Sequence, residues 1–203
     1  MLDVFDGIRS WFRTWIWGRT QISITATELY GSIVTQARLP VFYTDYGVSD
    51  VAEKRYEMIV LHIVLVLERL RGAGGFGMEL SRELVEVFVS DLDGSIREMA
   101  IGDTKVPNNV KKAAAGLLDR DVLYREAFDA GTEGQIGPDE TVEPDEMTLD
   151  ALLDELVFNG EMTSRGVVLA DYVRAARTML SGWKQDDGVA QLKFADPKTI
   201  VAE

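Results

Sequence analysis

Residues 55–71 read RYEMIVLHIVLVLERLR, and this stretch decides the fold class. The β-branched residues in its middle would suit a strand, but the apolar run from Met58 to Leu67 is ten residues long and charged residues flank it on both sides. That length and those flanks favour a helix that is buried on nearly every side. The run is much shorter than the ~18–20 apolar residues that a membrane span requires. The sequence therefore predicts a central, buried helix.

Helical periodicity continues on both sides of this stretch. Thr25 and Glu28 have the spacing of a capping box, which predicts that a helix begins there and ends before Pro40. Apolar spacing and helix-start signals predict further helices over about 79–100, 107–130, 148–159 and 164–183. We find no alternation of strands with helices and no internal repeat. The predicted fold is all-α: about six helices in one domain over residues 24–183, an amphipathic helix in residues 1–20 before it, and a loosely attached tail, 184–203, after it.

The charge of the chain is strongly negative and unevenly distributed. The net charge is −13, and the stretch from Glu126 to Glu161 contains many acidic residues but neither Lys nor Arg. Within it, residues 131–147 are rich in Gly, Pro and acid and are predicted to form a loop. Because binding to nucleic acid requires basic surface that displaces counterions from phosphates, we expect no direct nucleic-acid partner. The absence of cysteine excludes disulfides and thiolate chemistry.

The first twenty residues combine aromatic and basic side chains. Arg9, Arg13 and Arg19 lie among the aromatic residues, a combination typical of a helix at the lipid headgroup level. The alternative is that these aromatic rings pack against the domain or a partner helix. The candidate membrane-interface residues are Phe5, Trp11, Phe12, Trp15 and Trp17.

Two patterns that could indicate chemistry have simpler structural interpretations. Gly72, Gly74 and Gly77 have the spacing of the dinucleotide-binding fingerprint, but that fingerprint follows a buried strand, and here a predicted helix precedes it. An interhelical turn is therefore predicted. His62 is the only histidine, and on so apolar a helix it is expected to be buried and hydrogen-bonded to a neighbour, with no metal and no cofactor bound.

A third pattern is more specific. VFVSDLDGS, residues 87–95, is similar to the first motif of the haloacid dehalogenase phosphohydrolases, in which the first Asp attacks phosphorus and the second acts as acid and base beside Mg²⁺. Asp91 and Asp93 would be those residues in a metal-dependent phosphohydrolase. That fold needs a parallel sheet after the motif, whereas residues 96–183 have helical patterns, so this function is kept as an alternative.

Two long blocks of the sequence resemble one known family. LYGSIVTQARLPVFYTDYGVSD, residues 29–50, continues into the 55–71 stretch, and FVSDLDGSIREMAIGDTKVPNNVKKAAAG follows at 88–116. A shorter stretch, LDELVFNG at 153–160, adds to them. Read together and in this order, these blocks are similar to the signature of the ubiquinol–cytochrome c chaperone family. The motif with Asp91 and Asp93 belongs to the second block.

The resemblance implies a helical assembly chaperone of respiratory complex III and not an enzyme. Its expected partners are cytochrome b, or its nascent chain, and complex III assembly intermediates. In mitochondria, members of the family act with a small partner protein near the ribosome exit. The implied location is peripheral, on the cytoplasmic face of the inner membrane or on the matrix side of the mitochondrial one.

Charged residues of the second block are the candidate partner-binding residues. They cluster at a predicted helix end and in the turn that follows, where a role in the core is not evident. The alternative is local ion pairing, such as Asp93 with Arg97 one helical turn further on. The candidates are Asp91, Asp93, Arg97, Asp103, Lys111 and Lys112.

Overall fold

The computed structural model describes residues 21–98, 106–133, 147–160, 164–184 and 187–201. Within these ranges the chain is helical and contains no strand, which confirms the all-α prediction. None of the described helices is long and apolar enough to cross a membrane. The elements are α1 at 21–37, α2 Pro40–Thr44, α3 Ala52–Arg71, α4 Gly74–Glu98, α5 Val106–Glu133, α6 Leu149–Phe158, α7 Ser164–Ser181, a 3-10 turn Val189–Gln191 and α8 Pro197–Val201.

Helix α3 is the centre of the molecule. Every residue from Met58 to Leu67 is buried, as expected for a helix with apolar residues on nearly all its faces. It packs against α4, α5, α6 and α7. Burial of each of its Leu, Ile and Val side chains stabilises the fold by about 1.5–3 kcal/mol. The prediction of a central buried helix is confirmed.

Two charged residues near the start of α3 are also buried, and each has a partner. The carboxylate of Glu57 accepts hydrogen bonds from both Nε and Nη2 of Arg120 on α5, at 3.2 and 2.8 Å. The Lys54 ammonium donates to the carbonyl of Leu156, in the last turn of α6, at 2.9 Å. These bonds offset the cost of removing the charges from water, and they tie α3 to α5 and α6.

Helix α1 runs parallel to α3 and in register with it. Tyr30 and Tyr56 both contact the ring of Phe88, with centroids 6.3 and 6.2 Å away. Six residues further along each helix, Gln36 and His62 both hydrogen-bond the hydroxyl of Tyr172. The two pairs of contacts are therefore separated by the same rise, about 9 Å, on both helices.

The predicted start of α1 is wrong. The chain is already helical at residue 21, so Thr25 lies inside the helix and cannot be its N-cap. Ile22 and Ala26 are buried one turn apart and continue the apolar face formed by Leu29 and Ile33. Tertiary packing of this face extends the helix through a sequence that locally has the pattern of a cap.

The glycine-rich segment after α3 is an interhelical turn, as predicted. Only Gly72 and Ala73 separate α3 from α4, and Gly74 has the left-handed φ of 66°. A Cβ on Gly77 would lie 2.3 Å from the carbonyl oxygen of Leu70, so only glycine permits this close approach. As a result α4 begins five residues before the predicted position of 79.

The helix ends around the acidic segment follow local signals. Pro107 lies in the first turn of α5, as predicted. The hydroxyl of Thr148 caps α6 by accepting from the amide of Ala151, and Asn159, with φ of 61°, ends that helix. Helix α5 continues to Glu133, so the first three residues of the predicted loop 131–147 are helical. Residues 134–146 lie outside the described ranges.

The C-terminal segment is packed on the core, and the prediction of a loosely attached tail is wrong. Val189, Leu192 and Ala195 are buried, and the ring of Phe194 meets that of His62 with centroids 5.3 Å apart. The hydroxyl of Tyr46 donates to the carbonyl of Pro197 at 2.9 Å. The apolar residues of this segment have no helical periodicity, so the sequence gave no sign of this packing. It depends on a surface formed by α1, α2, α3 and α7.

Candidate partner-binding surface

The candidate residues that the structure describes lie near one end of the α4–α5 hairpin. Asp91 and Asp93 are in the last two turns of α4, and Lys111 and Lys112 are in the second turn of α5. Both lysine side chains are exposed, Asp91 is exposed and Asp93 is half-buried. We call these four residues the hairpin-end surface.

Helix α1 holds Asp91 in place. The hydroxyl of Tyr30, which is 8% exposed, donates to Oδ2 of Asp91 at 2.8 Å. Burial, followed by this bond and the charge of Asp91, raises the pKa of Tyr30 far above its ordinary value, so the hydroxyl remains a donor. Asp91 therefore has a structural role that its position in the sequence did not suggest.

Helix α3 fixes the start of α5 in the same way. The hydroxyl of Tyr56 donates to the carbonyl of Ala113 at 2.7 Å, and burial raises the pKa of Tyr56 to about 12. A Cβ on Gly116 would lie 2.8 Å from the Tyr56 hydroxyl oxygen, so the glycine lets the two helices approach. Lys111 and Lys112 are exposed on a helix whose backbone is held at the residue that follows Lys112.

The remaining candidates are not brought to this surface by any described contact. Arg97 is in the last turn of α4, but its side chain is outside the described set, so the predicted pair with Asp93 stays a prediction. Asp103 lies outside the described ranges, as do the aromatic residues Phe5, Trp11, Phe12, Trp15 and Trp17.

The phosphohydrolase alternative is not supported by the fold. Its two aspartates would stand at the end of a strand beside a parallel sheet, but Asp91 and Asp93 are on helix α4 and the described part of the chain has no strand. Residues two apart on a helix point to opposite sides, so the two carboxylates cannot converge on one phosphate. The described residues contain no group of three or more acidic or His side chains placed to hold a metal ion.

His62 is a structural residue, as predicted. It is fully buried, its Nδ1 lies 2.7 Å from the carbonyl of Met58, and its Nε2 lies 2.7 Å from the hydroxyl of Tyr172. Burial lowers the pKa of His62 to about 4, so the imidazole is neutral near pH 7. With both nitrogens occupied and no access to solvent, the ring is not placed to act as a base or as a ligand.

A second polar feature is a groove of about 700 Å³ between α3 and α7 at the opposite end of the bundle. Its arginines are engaged with neighbours: Arg177 bonds Glu68, lying over the ring of Phe128, and Arg69 donates to the carbonyl of Trp183. These contacts join the ends of α3, α5 and α7. They give the arginines a structural role, and no candidate residue lies there.

Sequence reasoning missed Tyr30 and Tyr56 as parts of this surface. Tyr30 lies on the buried face of α1, beside Leu29 and Ile33. The sequence could not reveal that its hydroxyl reaches Asp91, sixty-one residues away, because such a partner depends on how α1 and α4 cross. A tyrosine on the buried face of a helix is the one signal that a polar partner exists, since a buried hydroxyl usually needs one.

Comparisons with known proteins cover nearly the whole bundle. The model of the family described as ubiquinol-cytochrome C chaperone matches residues 44–191, well over half of the chain and including the hairpin-end surface. The structure is similar to the crystal structure of the Cbp3 homolog from Brucella abortus, with a TM-score of 0.73 and 30% sequence identity over 94% of this chain and 98% of that chain. A search of curated proteins gave no significant match. The chain belongs to the ubiquinol-cytochrome C chaperone family.

Proposed function

We propose that this chaperone binds cytochrome b, or its nascent chain, during assembly of ubiquinol–cytochrome c reductase, and that it does so without catalysing a reaction. Family membership supports a role in complex III assembly. The hairpin-end surface is the proposed binding site for this client. It presents two exposed lysines and two aspartates on helices whose positions Tyr30 and Tyr56 fix. A rigid charged surface can select a partner at little ordering cost.

The binding is proposed to occur at a membrane surface. Residues 1–20 carry five aromatic residues among arginines. Burying several of these rings at ~25 cal/mol per Å² would contribute a few kcal/mol to membrane affinity before the ordering cost. Each arginine near an anionic surface would add up to ~1 kcal/mol. Because the whole chain has a net charge of −13, the same surface would repel the acidic body. Attachment should therefore be peripheral and depend on these residues, on the cytoplasmic or the matrix side of the membrane.

The experiment that tests the proposal is chemical crosslinking in intact membranes. The full chain is expressed with an affinity tag, crosslinked with a short lysine-reactive reagent and purified under denaturing conditions, and the attached proteins are identified by mass spectrometry. We expect cytochrome b or other complex III assembly intermediates, with crosslinks at Lys111 or Lys112. Crosslinks confined to Lys193 and Lys198, in the C-terminal segment, would place the client elsewhere, and recovery of no complex III component would contradict the proposal.

A further inference from the structure

The C-terminal segment, residues 187–201, lies over a floor of aromatic rings. Four buried rings form this floor, and neighbouring ones have centroids 4.9 to 6.3 Å apart. They are those of Phe42, Tyr46, His62 and Tyr172. These residues belong to α2, the turn after it, α3 and α7, and the ring of Phe194 in the segment contacts His62. The bundle thus forms an apolar groove, and the C-terminal segment occupies it.

The hydrogen bonds that hold the segment in this groove end on its backbone. Three side chains outside the segment donate to it, and each of the three acceptors is a backbone carbonyl. The bonds are Trp183 Nε1 to Gly188, Gln36 Nε2 to Ala195 and the Tyr46 hydroxyl to Pro197, at 3.0, 3.2 and 2.9 Å. Within the described ranges, no side chain of residues 188–201 hydrogen-bonds a residue outside the segment. Since every residue has a carbonyl, these bonds do not depend on the sequence of the segment.

The side chains of the segment contribute apolar contacts to the groove and leave their polar groups in solvent. Leu192, Ala195 and Pro197 are buried, whereas the intervening Lys193 and Asp196 are exposed. The backbone over residues 192–196 is neither helical nor paired as a strand. The groove therefore holds an extended peptide by its carbonyls and its apolar side chains, a mode in which the polar side chains of the peptide are not recognised.

We propose that this groove is a binding site for an extended, apolar stretch of a client polypeptide, which takes the place of the C-terminal segment. The inference rests on the proposed chaperone function and adds a second contact to the hairpin-end surface. Recognition through carbonyls and apolar side chains suits a client chain that has not yet buried its own apolar residues. The tethered segment has an effective concentration on the order of millimolar, so it covers the groove when no client is bound, and a client has to compete with it.

This competition can be measured in the full chain with a synthetic peptide. The probe is a fluorescein-labelled peptide with the sequence of residues 187–201, and fluorescence anisotropy follows its binding. F194A weakens the segment but leaves the groove unchanged, so it should raise the affinity for the probe several-fold over that of the wild type. L192A, which also changes only the segment, should act in the same direction. K193A is the matched control, because Lys193 is exposed between these two residues, and it should bind the probe as the wild type does.

Two altered probes test what the groove recognises. A probe carrying K193S, D196S and K198S should bind the F194A protein as well as the unaltered probe does, because those three side chains are exposed in the segment. A probe carrying L192S and F194S keeps the same backbone carbonyls but should bind several-fold more weakly. Equal binding of these two altered probes would show that apolar side chains are not recognised and would overturn the inference.

Hydrogen exchange with the K193S/D196S/K198S probe locates the site, since its fragments differ in mass from those of the protein. When the F194A protein is saturated with this probe, the amides of residues 189–201 should lose protection while those of α3 keep theirs. Equal affinity of the wild type, F194A and L192A for the probe, or binding that leaves the segment protected, would overturn the inference. Crosslinking of the client at Lys111 or Lys112 does not depend on this result, so failure of the groove is distinguishable from failure of the proposed function.

Discussion

The hydroxyl of Tyr172 lies 2.7 Å from Nε2 of His62, and the group on the other side of the ring determines the direction of this hydrogen bond. The carbonyl of Met58 can only accept, so the Nδ1 that faces it carries the proton. Nε2 must then accept, and the Tyr172 hydroxyl donates to it. The same hydroxyl accepts from Nε2 of Gln36, which also bonds the carbonyl of Ala195. One chain of hydrogen bonds thus joins α3, α7 and α1 to the C-terminal segment.

This arrangement predicts a pH dependence of stability. The folded state holds His62 neutral with a pKa of about 4, whereas the unfolded chain takes up a proton below its ordinary value of ~6.5. The contribution of neutral His62 to the free energy of unfolding is complete above pH ~6.5. It declines as the pH falls towards 4, by about 3 kcal/mol in all. Urea unfolding of the wild type and H62Q at several pH values would measure it. H62Q should be less stable at pH 7 by about 1–3 kcal/mol and lose stability less steeply on acidification. Parallel pH curves for the two proteins would show that His62 is not held neutral.

The C-terminal segment should contribute to the core. Leu192 is 9% exposed, and truncating a buried leucine to alanine costs about 2–3 kcal/mol where the site can partly collapse. Q191A provides a matched control, since Gln191 precedes Leu192 and its side chain is exposed. Thermal unfolding should therefore show a clear loss of Tm for L192A and little change for Q191A. Equal, small effects would indicate that the segment is loosely attached after all.

The buried pair of Glu57 and Arg120 should be costly to break. Glu57 has 6% of its side chain exposed, and R120M would leave its carboxylate without a counter-charge, for a loss of about 3 kcal/mol. R82M is the control, because Arg82 and Glu86 form an exposed pair that contributes little to stability. Chemical denaturation of both variants would compare them. A similar small loss in each would mean that solvent reaches Glu57.

Membrane attachment should depend on residues 1–20. We expect the full chain to float with vesicles that contain phosphatidylglycerol, and the fraction that floats should decrease as salt is raised. Deletion of residues 1–20 should abolish flotation while far-UV circular dichroism stays helical. A truncated protein that floats as well as the full chain, or a full chain that never floats, would disprove the attachment. The aromatic residues should then be found packed against protein.

Client capture should depend on Lys111 and Lys112. K111E/K112E should recover several-fold less cytochrome b from crosslinked membranes, with little change in Tm, because both side chains are exposed. K193E/K198E makes the same change in net charge at two exposed lysines of the C-terminal segment and should capture normally. Equal capture by both double variants would leave the lysines with no role in client binding.

Much of the fold could be predicted from the sequence because its main determinants are local. The apolar run around His62, the proline in the first turn of α5 and the Thr148 cap each act within a few residues of themselves. The start of α1 could not be predicted in this way. Packing of Ile22 on the core extends that helix past a capping pattern at Thr25, and this depends on neighbours distant in sequence.

The candidate surface was predictable in composition but not in geometry. The sequence indicated that Asp91 and Lys111 belong to one charged block, and α4 and α5 do bring them to the same end. The hydroxyls of Tyr30 and Tyr56 that fix this end come from two other helices. The packing of residues 187–201 was missed for the same reason, since the surface that they cover exists only in the folded bundle.

The level of assembled ubiquinol–cytochrome c reductase in cells that lack this chain tests the central claim most directly. Membranes from deletion cells, and from the same cells complemented with the full chain, would be compared for cytochrome b absorbance and for reductase activity. The account predicts a strong loss of both in the deletion, recovery with the full chain and poor recovery with K111E/K112E. Normal cytochrome b and normal reductase activity in cells without the chain would contradict it.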